Sequence, residues 1–318
     1  MNKIDFYASE IHYFDHIVPI WNKLPIKYKG VFYVSLEVLT KRQLLDRSDF
    51  QIGFPNDNLT LVASYKDYQK TKGKVIFGEH GIGHNYGNGH PAYVGGSGKE
   101  RVVLFLNQHL LSNNTNKLAY PNAKNVIIGT PKMDNVKELE FRPNNRKPIV
   151  CISFHWDCMV CNNTRSAYYY YKNVIGQLAK CEEFTLIAHG HPRRNELELQ
   201  AYGIKYYSDL NEVMEIADIY VNDNSSSMYE FINTGKPVIV LNCPLYDKHK
   251  DTGIRFWRYI CGVQVDRPCD LKQAILNELA NPEHYRELRD GIVNALYPYK
   301  GVATQSAVDV ITEYLNAI

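Results

Sequence analysis

The chain has 318 residues, 45% of them hydrophobic, and a formal net charge of +2. That length suits two ordinary domains, and the near-neutral charge excludes a general electrostatic case for nucleic acid or acidic lipid as partner. No apolar run approaches the ~20 residues needed to cross a bilayer.

The start, MNKIDFYASEIHYFDH, becomes polar too early for a secretory signal. From there short apolar runs alternate with amphipathic stretches. In the first half, strands are expected at Ile4–Tyr7, Val31–Val34, Thr60–Ala63, Lys74–Phe77, Val102–Leu106 and Asn125–Ile128, with helices at His12–Lys23 and Leu36–Asp46. Residues 78–91, GEHGIGHNYGNGHP, follow the fourth strand with three histidines and five glycines. Glycines let backbone approach a ligand, and imidazole moves protons near neutral pH. The glycines argue against the helix that would pair His80 with His84, so no metal site is expected. After the sixth strand comes IGTPKMDN, a tight turn carrying Gly129, Pro131, Lys132 and Asp134.

Glu138–Lys147 is charged, carries Pro143 and has no apolar period, which marks a hinge between domains at 1–140 and 147–318. Beyond it, strands are expected at Ile149–Phe154, Phe184–Ala188, Ile219–Val221 and Val238–Leu241. Helices are expected at Ala167–Lys180, Asn211–Ile216, Ser226–Thr234, Asp270–Ala280 and Ala303–Ala317, the last able to cross back to the first domain. Strands spaced by helices give α/β domains with parallel sheets. The seven cysteines include one CxxC, Cys158 and Cys161, which reads as ordinary thiols. An odd count without a signal points to reduced thiols in a cytoplasm, with peripheral membrane contact left open. Tyr168–Tyr171 reads as a helix packing some aromatics and exposing others.

Ligands of open parallel sheets bind beyond the carboxyl ends of strands. Two polar knots of the second half lie there. AHGHPRR, residues 188–194, holds His191 before Pro192, then Arg193 and Arg194. DNSSS, residues 223–227, opens a helix after a strand. Hydroxyls and free amides at a helix start can seat an anion. Simple capping by Asp223, Asn224 or Ser225 is the plainer alternative, although one cap needs one residue. Glu230, one turn on, could accept from two ribose hydroxyls or stand as a solvated helix glutamate. GxxxxGK[ST] is absent, as is GxGxxG after the first strand, which excludes a P-loop and disfavours dinucleotide oxidoreduction.

These residues resemble the CDP-glycerol glycerophosphotransferase family, enzymes of teichoic-acid polymer synthesis. Its Asp-Tyr-Ser-Ser element, downstream Glu and Lys-Pro match Asp223 to Phe231 without a gap, then Lys236-Pro237. Its His-Pro resembles His191-Pro192, its Gly-x-Pro-x-x-Asp resembles Gly129 to Asp134, and its His-Gly resembles His80-Gly81. The strand opening its second domain resembles Ile149–Phe154. Asn224 replaces the family's Tyr, Ile82 to Asn85 lacks its Pro and Lys, and His155-Trp156-Asp157 replaces its Thr-x-Arg.

The resemblance implies a GT-B architecture: two Rossmann-like domains with parallel sheets facing across a cleft. It implies a transferase using a nucleotide-diphosphate donor, CDP-linked, metal-independent and without a cofactor. His80 would be the general base. His191, Arg193, Ser225, Ser226 and Ser227 would hold the donor phosphates, with His191 also catalytic in stabilising charge on the leaving nucleotide, and Glu230 would hold the ribose. Asp223, Gly129 and Pro131 would support the loops, with His84, Lys132 and His155 secondary. Closure about the hinge would limit donor hydrolysis. The acceptor would be a hydroxyl on a glycan or polyol phosphate, with nucleic acid also open. Alternatives are a UDP- or CDP-sugar glycosyltransferase acting on a glycan or a modified nucleic-acid base, a sugar-nucleotide 2-epimerase, and a non-catalytic nucleotide sensor or scaffold.

Overall fold

All ten expected strands form, and each pairs in parallel with its neighbours. The computed structural model describes residues 2–82, 98–139, 141, 146–159, 161–191, 196–249 and 259–318. They divide into two compact units, one of residues 2–82, 98–135 and 295–318, the other of the described residues from 136 to 294.

The first unit runs β1 (Ile4–Ala8), α1 (Ile11–Lys23), β2 (Lys29–Val34), α2 (Leu36–Lys41), β3 (Phe50–Ile52), β4 (Thr60–Val62), α3 (Tyr65–Tyr68), β5 (Val75–Gly78), β6 (Val102–Asn107), α4 (Leu110–Ala119) and β7 (Lys124–Ile127). The strand order is β3-β2-β1-β4-β5-β6-β7. The direction of winding reverses between β1 and β4, so a crevice is expected beyond their carboxyl ends. Phe6, Trp21, Phe32 and Phe50 interlock in the core, with Phe6 and Trp21 edge to face at 5.0 Å.

The second unit runs β8 (Ile149–Phe154), α5 (Tyr168–Leu178), β9 (Thr185–Gly190), α6 (Glu196–Gln200), β10 (Lys205–Tyr207), α7 (Leu210–Ile216), β11 (Ile219–Asn222), α8 (Ser227–Phe231), β12 (Val238–Leu241), β13 (Val263–Val265), α9 (Leu271–Ala280) and α10 (Arg286–Leu296). Its order, β10-β9-β8-β11-β12-β13, is the doubly wound arrangement with the reversal between β8 and β11. β8, β11 and β12 are buried on both faces, as expected for apolar runs under helices on each side. In α5, Tyr168 and Tyr171 are buried while Tyr169 and Tyr170 are exposed.

The final helix, α11 (Ala303–Ala317), packs in the first unit's core through Ala307, Val308, Ile311 and Leu315. Its first turn lacks a local side-chain cap. Asp134 supplies one: its carboxylate accepts from the amides of Gly301 at 2.9 Å, Ala303 at 3.0 Å and Thr304 at 2.7 Å. Gly129 sits beneath, at φ 85°, where a Cβ would lie 2.7 Å from the Cβ of Tyr299. The turn Gly129 to Asp134 thus docks the last helix. Of the expected hinge, Glu138 and Leu139 are held in the second unit: Glu138 pairs with Arg286, and the Leu139 amide donates to the Thr234 carbonyl at 2.9 Å.

All seven cysteines are unbridged. Among the described residues no helix is long and apolar enough to cross a membrane, and no group of His, Cys, Asp and Glu is arranged to hold a metal.

Candidate active site

In the second unit the polar knots meet at the reversal of the sheet. β8 ends in Phe154 and is followed by His155. β9 is followed by His191, and β11 by Asp223. The register places Phe154 beside Gly190 and Ser153 beside Asn222, so these three ends are adjacent. The rings of His155 and His191 lie 5.9 Å apart, and Trp156 is 5.9 Å from His191.

Asp223 is fully buried and joins the strand ends. Oδ1 accepts from the amides of His155 at 2.9 Å and Asn224 at 2.7 Å, and Oδ2 accepts from the Ala167 amide at 2.9 Å. A carboxylate so placed satisfies three backbone donors that would otherwise be buried unpaired. Asn224 donates to the carbonyls of Asn163 at 2.5 Å and Arg165 at 2.8 Å, anchoring the loop from its other side. His155 is buried, and its Nδ1 lies 2.9 Å from the Thr164 carbonyl, so that nitrogen carries a proton. In the CxxC segment, Thr164 donates to the Cys158 carbonyl at 2.8 Å and accepts from the Cys161 amide at 3.2 Å, a structural brace.

The serines differ from one another. Ser227 is buried inside α8, whereas Ser225 and Ser226 are half-buried at its start. Simple capping does not account for the three. Ser226 occupies the cap position without a side-chain cap bond, and the Ser225 amide donates instead to Asn222 Oδ1 at 3.1 Å. The amides of Met228, Tyr229 and Glu230 are spent on the carbonyls of Ser225 and Ser226. The amide and hydroxyl of Ser226 have no acceptor among the described hydrogen bonds. α8 spans five residues, so its dipole is short. Glu230 is 4% exposed, which excludes the solvated helix glutamate.

Lys236, of the Lys-Pro element, lies away from these donors. Its buried Nζ donates to the carbonyls of Met214, Glu215 and Ala217 at 2.9, 3.1 and 2.8 Å, capping the end of α7. Arg193 lies outside the described residues, as do His84 and His90.

In the first unit His80 follows β5. Its Nδ1 is bonded to the Ala63 carbonyl, which fixes the proton there and turns Nε2 into the basic nitrogen. The ring packs on Tyr13 at 4.6 Å, His12 at 5.8 Å and His16 at 6.4 Å. His12 lies 3.6 Å from Glu10, which also pairs with Lys66 at 2.6 Å. The histidine neighbours of His80 therefore come from α1. Sequence reasoning missed them, although HYFDH at residues 12–16 shows an i, i+4 pair on an amphipathic helix. Lys132 stands half-buried on a turn packed against α1 and α11.

Two buried carboxyls flank this cluster. Burial raises Asp67 to about 6, although Oδ2 accepts from the Ser9 amide at 3.2 Å. Burial likewise raises Glu79 to about 7, against bonds from the Gln108 amide at 2.6 Å and Asn116 at 3.0 Å.

Residues 172–313 match the family model described as CDP-Glycerol:Poly(glycerophosphate) glycerophosphotransferase. No curated protein matches the chain by sequence. Among solved structures, the H444N variant of the wall teichoic acid polymerase TagF superposes with a TM-score of 0.67 at 13% identity, covering 99% of this chain and 89% of that one. The S. aureus MnaA-UDP structure gives 0.65 at 15% identity, with 100% and 98% covered. The UDP-GlcNAc 2-epimerase of Neisseria meningitidis, bound to UDP-GlcNAc, gives 0.58 at 14% identity, with 98% and 100% covered. The chain has a two-sheet GT-B architecture, and over residues 172–313 it resembles the CDP-glycerol glycerophosphotransferase family.

Proposed function

We propose that this protein is a transferase that moves a glycosyl or polyol-phosphate group from a CDP-linked donor to an acceptor hydroxyl. The observation that carries the reading is the donor set at the sheet reversal of the second unit. The Ser226 amide and hydroxyl and the Ser225 hydroxyl stand half-buried on a loop that Asp223 and Asn224 clamp from two sides. Fixed donors of this kind stabilise charge growing on a leaving nucleotide without reorganising. His155 and His191 follow the adjacent strands β8 and β9, their rings 5.9 Å apart. In the first unit His80 serves as general base through Nε2, since Nδ1 is committed to the Ala63 carbonyl. The family match, described by CDP-glycerol, and the UDP and CDPG named with similar structures support a nucleotide-linked donor. Glu230 is assigned to the ribose, and the reaction is taken to run without metal or cofactor.

The test is a thermal-shift screen with CDP-, UDP-, GDP- and ADP-linked compounds, followed by donor turnover with and without EDTA. A true donor present at about 100 times its Kd stabilises by about 2.7 kcal/mol. His80→Ala retains that shift and loses turnover. A His80→Ala protein that turns over donor like the wild type removes the base assignment.

A second reading has one observation in its favour. Epimerisation of a sugar nucleotide needs acid–base carboxyls, and Asp67 and Glu79 are both raised toward neutrality in the first unit. Incubation with UDP-GlcNAc and separation of the sugar products distinguishes it, because the transferase leaves the sugar's configuration unchanged without an acceptor.

A further inference from the structure

Behind the serine seat runs an internal line of hydrogen-bonded side chains. His189 Nδ1 lies 3.3 Å from Ser153 Oγ and 3.0 Å from the Tyr220 hydroxyl. Tyr220 donates to Ser227 Oγ at 2.9 Å, and Ser227 Oγ donates to Ser225 Oγ at 2.9 Å. Ser153, His189, Tyr220 and Ser227 are buried, and the line reaches the half-buried surface only at Ser225.

We propose that Tyr220 and Ser227 are positioning residues that fix the polarity of the Ser225 hydroxyl, so that it can only donate outward, to an anionic oxygen of a nucleoside diphosphate. This rests on the donor-phosphate reading of the seat. A serine oxygen has two lone pairs and one proton. Ser225 Oγ receives the Ser227 hydroxyl at 2.9 Å and the Ser227 amide at 3.4 Å. Both lone pairs are then engaged, and the amide is a donor that cannot reverse. The proton is what remains, and it has no acceptor among the described hydrogen bonds. The Ser227 hydroxyl holds that direction because its own oxygen accepts from Tyr220.

Tyr220 keeps the single proton this requires. It is fully buried, and burial together with the neighbouring Cys151 pushes its ionisation well above the usual phenol range. With its proton given to Ser227, the phenol oxygen accepts from His189, whose Nδ1 then carries hydrogen. Were the line reversed, Ser225 would present lone pairs to a phosphate and repel it. A hydroxyl already turned outward spends no free energy on reorientation when the anion arrives.

The experiment measures binding of CDP, inorganic pyrophosphate and cytidine by calorimetry to the full chain. Tyr220→Phe and Ser227→Ala weaken CDP and pyrophosphate about fivefold, the size of one net hydrogen bond, and leave cytidine unchanged. Ser225→Ala weakens the same two ligands. The discriminating result is the double variant: Tyr220→Phe added to Ser225→Ala costs nothing further, because the only route from Tyr220 to the anion has been removed. A merely structural role for Tyr220 predicts additive losses that extend to cytidine, and that result overturns the proposal. Equal CDP affinity in Tyr220→Phe and wild type does so too. Should either buried variant fail to fold, as read from its melting curve, the other carries the cycle. A wild-type protein that binds neither CDP nor pyrophosphate sinks the seat itself, and this inference with it.

Discussion

Asp223 Oδ1 accepts the His155 amide at 2.9 Å and so ties the loop after β11 to the loop after β8, on either side of the sheet reversal. The same carboxylate also receives the amides of Asn224 and Ala167. It therefore shapes the candidate donor site without needing to touch a donor.

Replacing Asp223 by Asn puts an NH2 group where one of two acceptor oxygens stood, opposite a buried amide. The expected cost is about 2–4 kcal/mol, the penalty of an unsatisfied buried donor plus a lost charge-assisted bond. Denaturant unfolding measures it, and nucleotide binding falls in parallel. Asp223→Asn with wild-type stability would show that the carboxylate is not the clamp described.

Asp134→Ala uncaps α11 from 170 residues away. Two amides of its first turn, Ala303 and Thr304, and that of Gly301 just before it lose their acceptor, for about 1–2 kcal/mol. Hydrogen exchange should quicken first at Ala303 and Thr304, while the second unit's sheet keeps its protection. Uniform loss of protection across both units is the outcome that contradicts this local role.

Glu79 gives a pH dependence with a defined sign. Its folded value of about 7 lies above its ordinary 4.5. Its favourable contribution is therefore complete below about 4.5 and is lost as pH rises through about 7, by roughly 3 kcal/mol at most. His109 works oppositely: burial lowers it to about 4, so its contribution is lost as pH falls through that value. The clean measurement is a difference, wild type against Glu79→Gln, by urea unfolding at several pH values. The stability of Glu79→Gln relative to wild type should rise between pH 4.5 and pH 7, with His109 cancelling. A flat difference curve removes the ionisation from the account.

The apolar runs that became β8, β11 and β12 were legible because a strand buried on both faces is apolar residue by residue. The polar knots after strands were legible for a related reason, since parallel sheets bring their carboxyl ends to one edge. The three strands left unforeseen, β3, β10 and β13, are all sheet edges. An edge strand has one neighbour and less to bury, so Phe50–Ile52 and Lys205–Tyr207 carry exposed residues and no apolar run. The helix expected over Leu36–Asp46 stops at Lys41, because Gln43 takes a left-handed conformation that ends the turn.

By itself, then, the sequence determined two α/β sheets, the loops at their carboxyl ends and the family resemblance, because each is a local pattern of period and residue type. Tertiary structure alone decided which distant groups meet. His12 and His16 gather on His80, Asp134 caps Thr304, Lys236 closes α7, and Tyr220 meets Ser227, which meets Ser225. These pairings depend on helix faces and buried donors coming within hydrogen-bond reach, a condition that only the packed chain imposes.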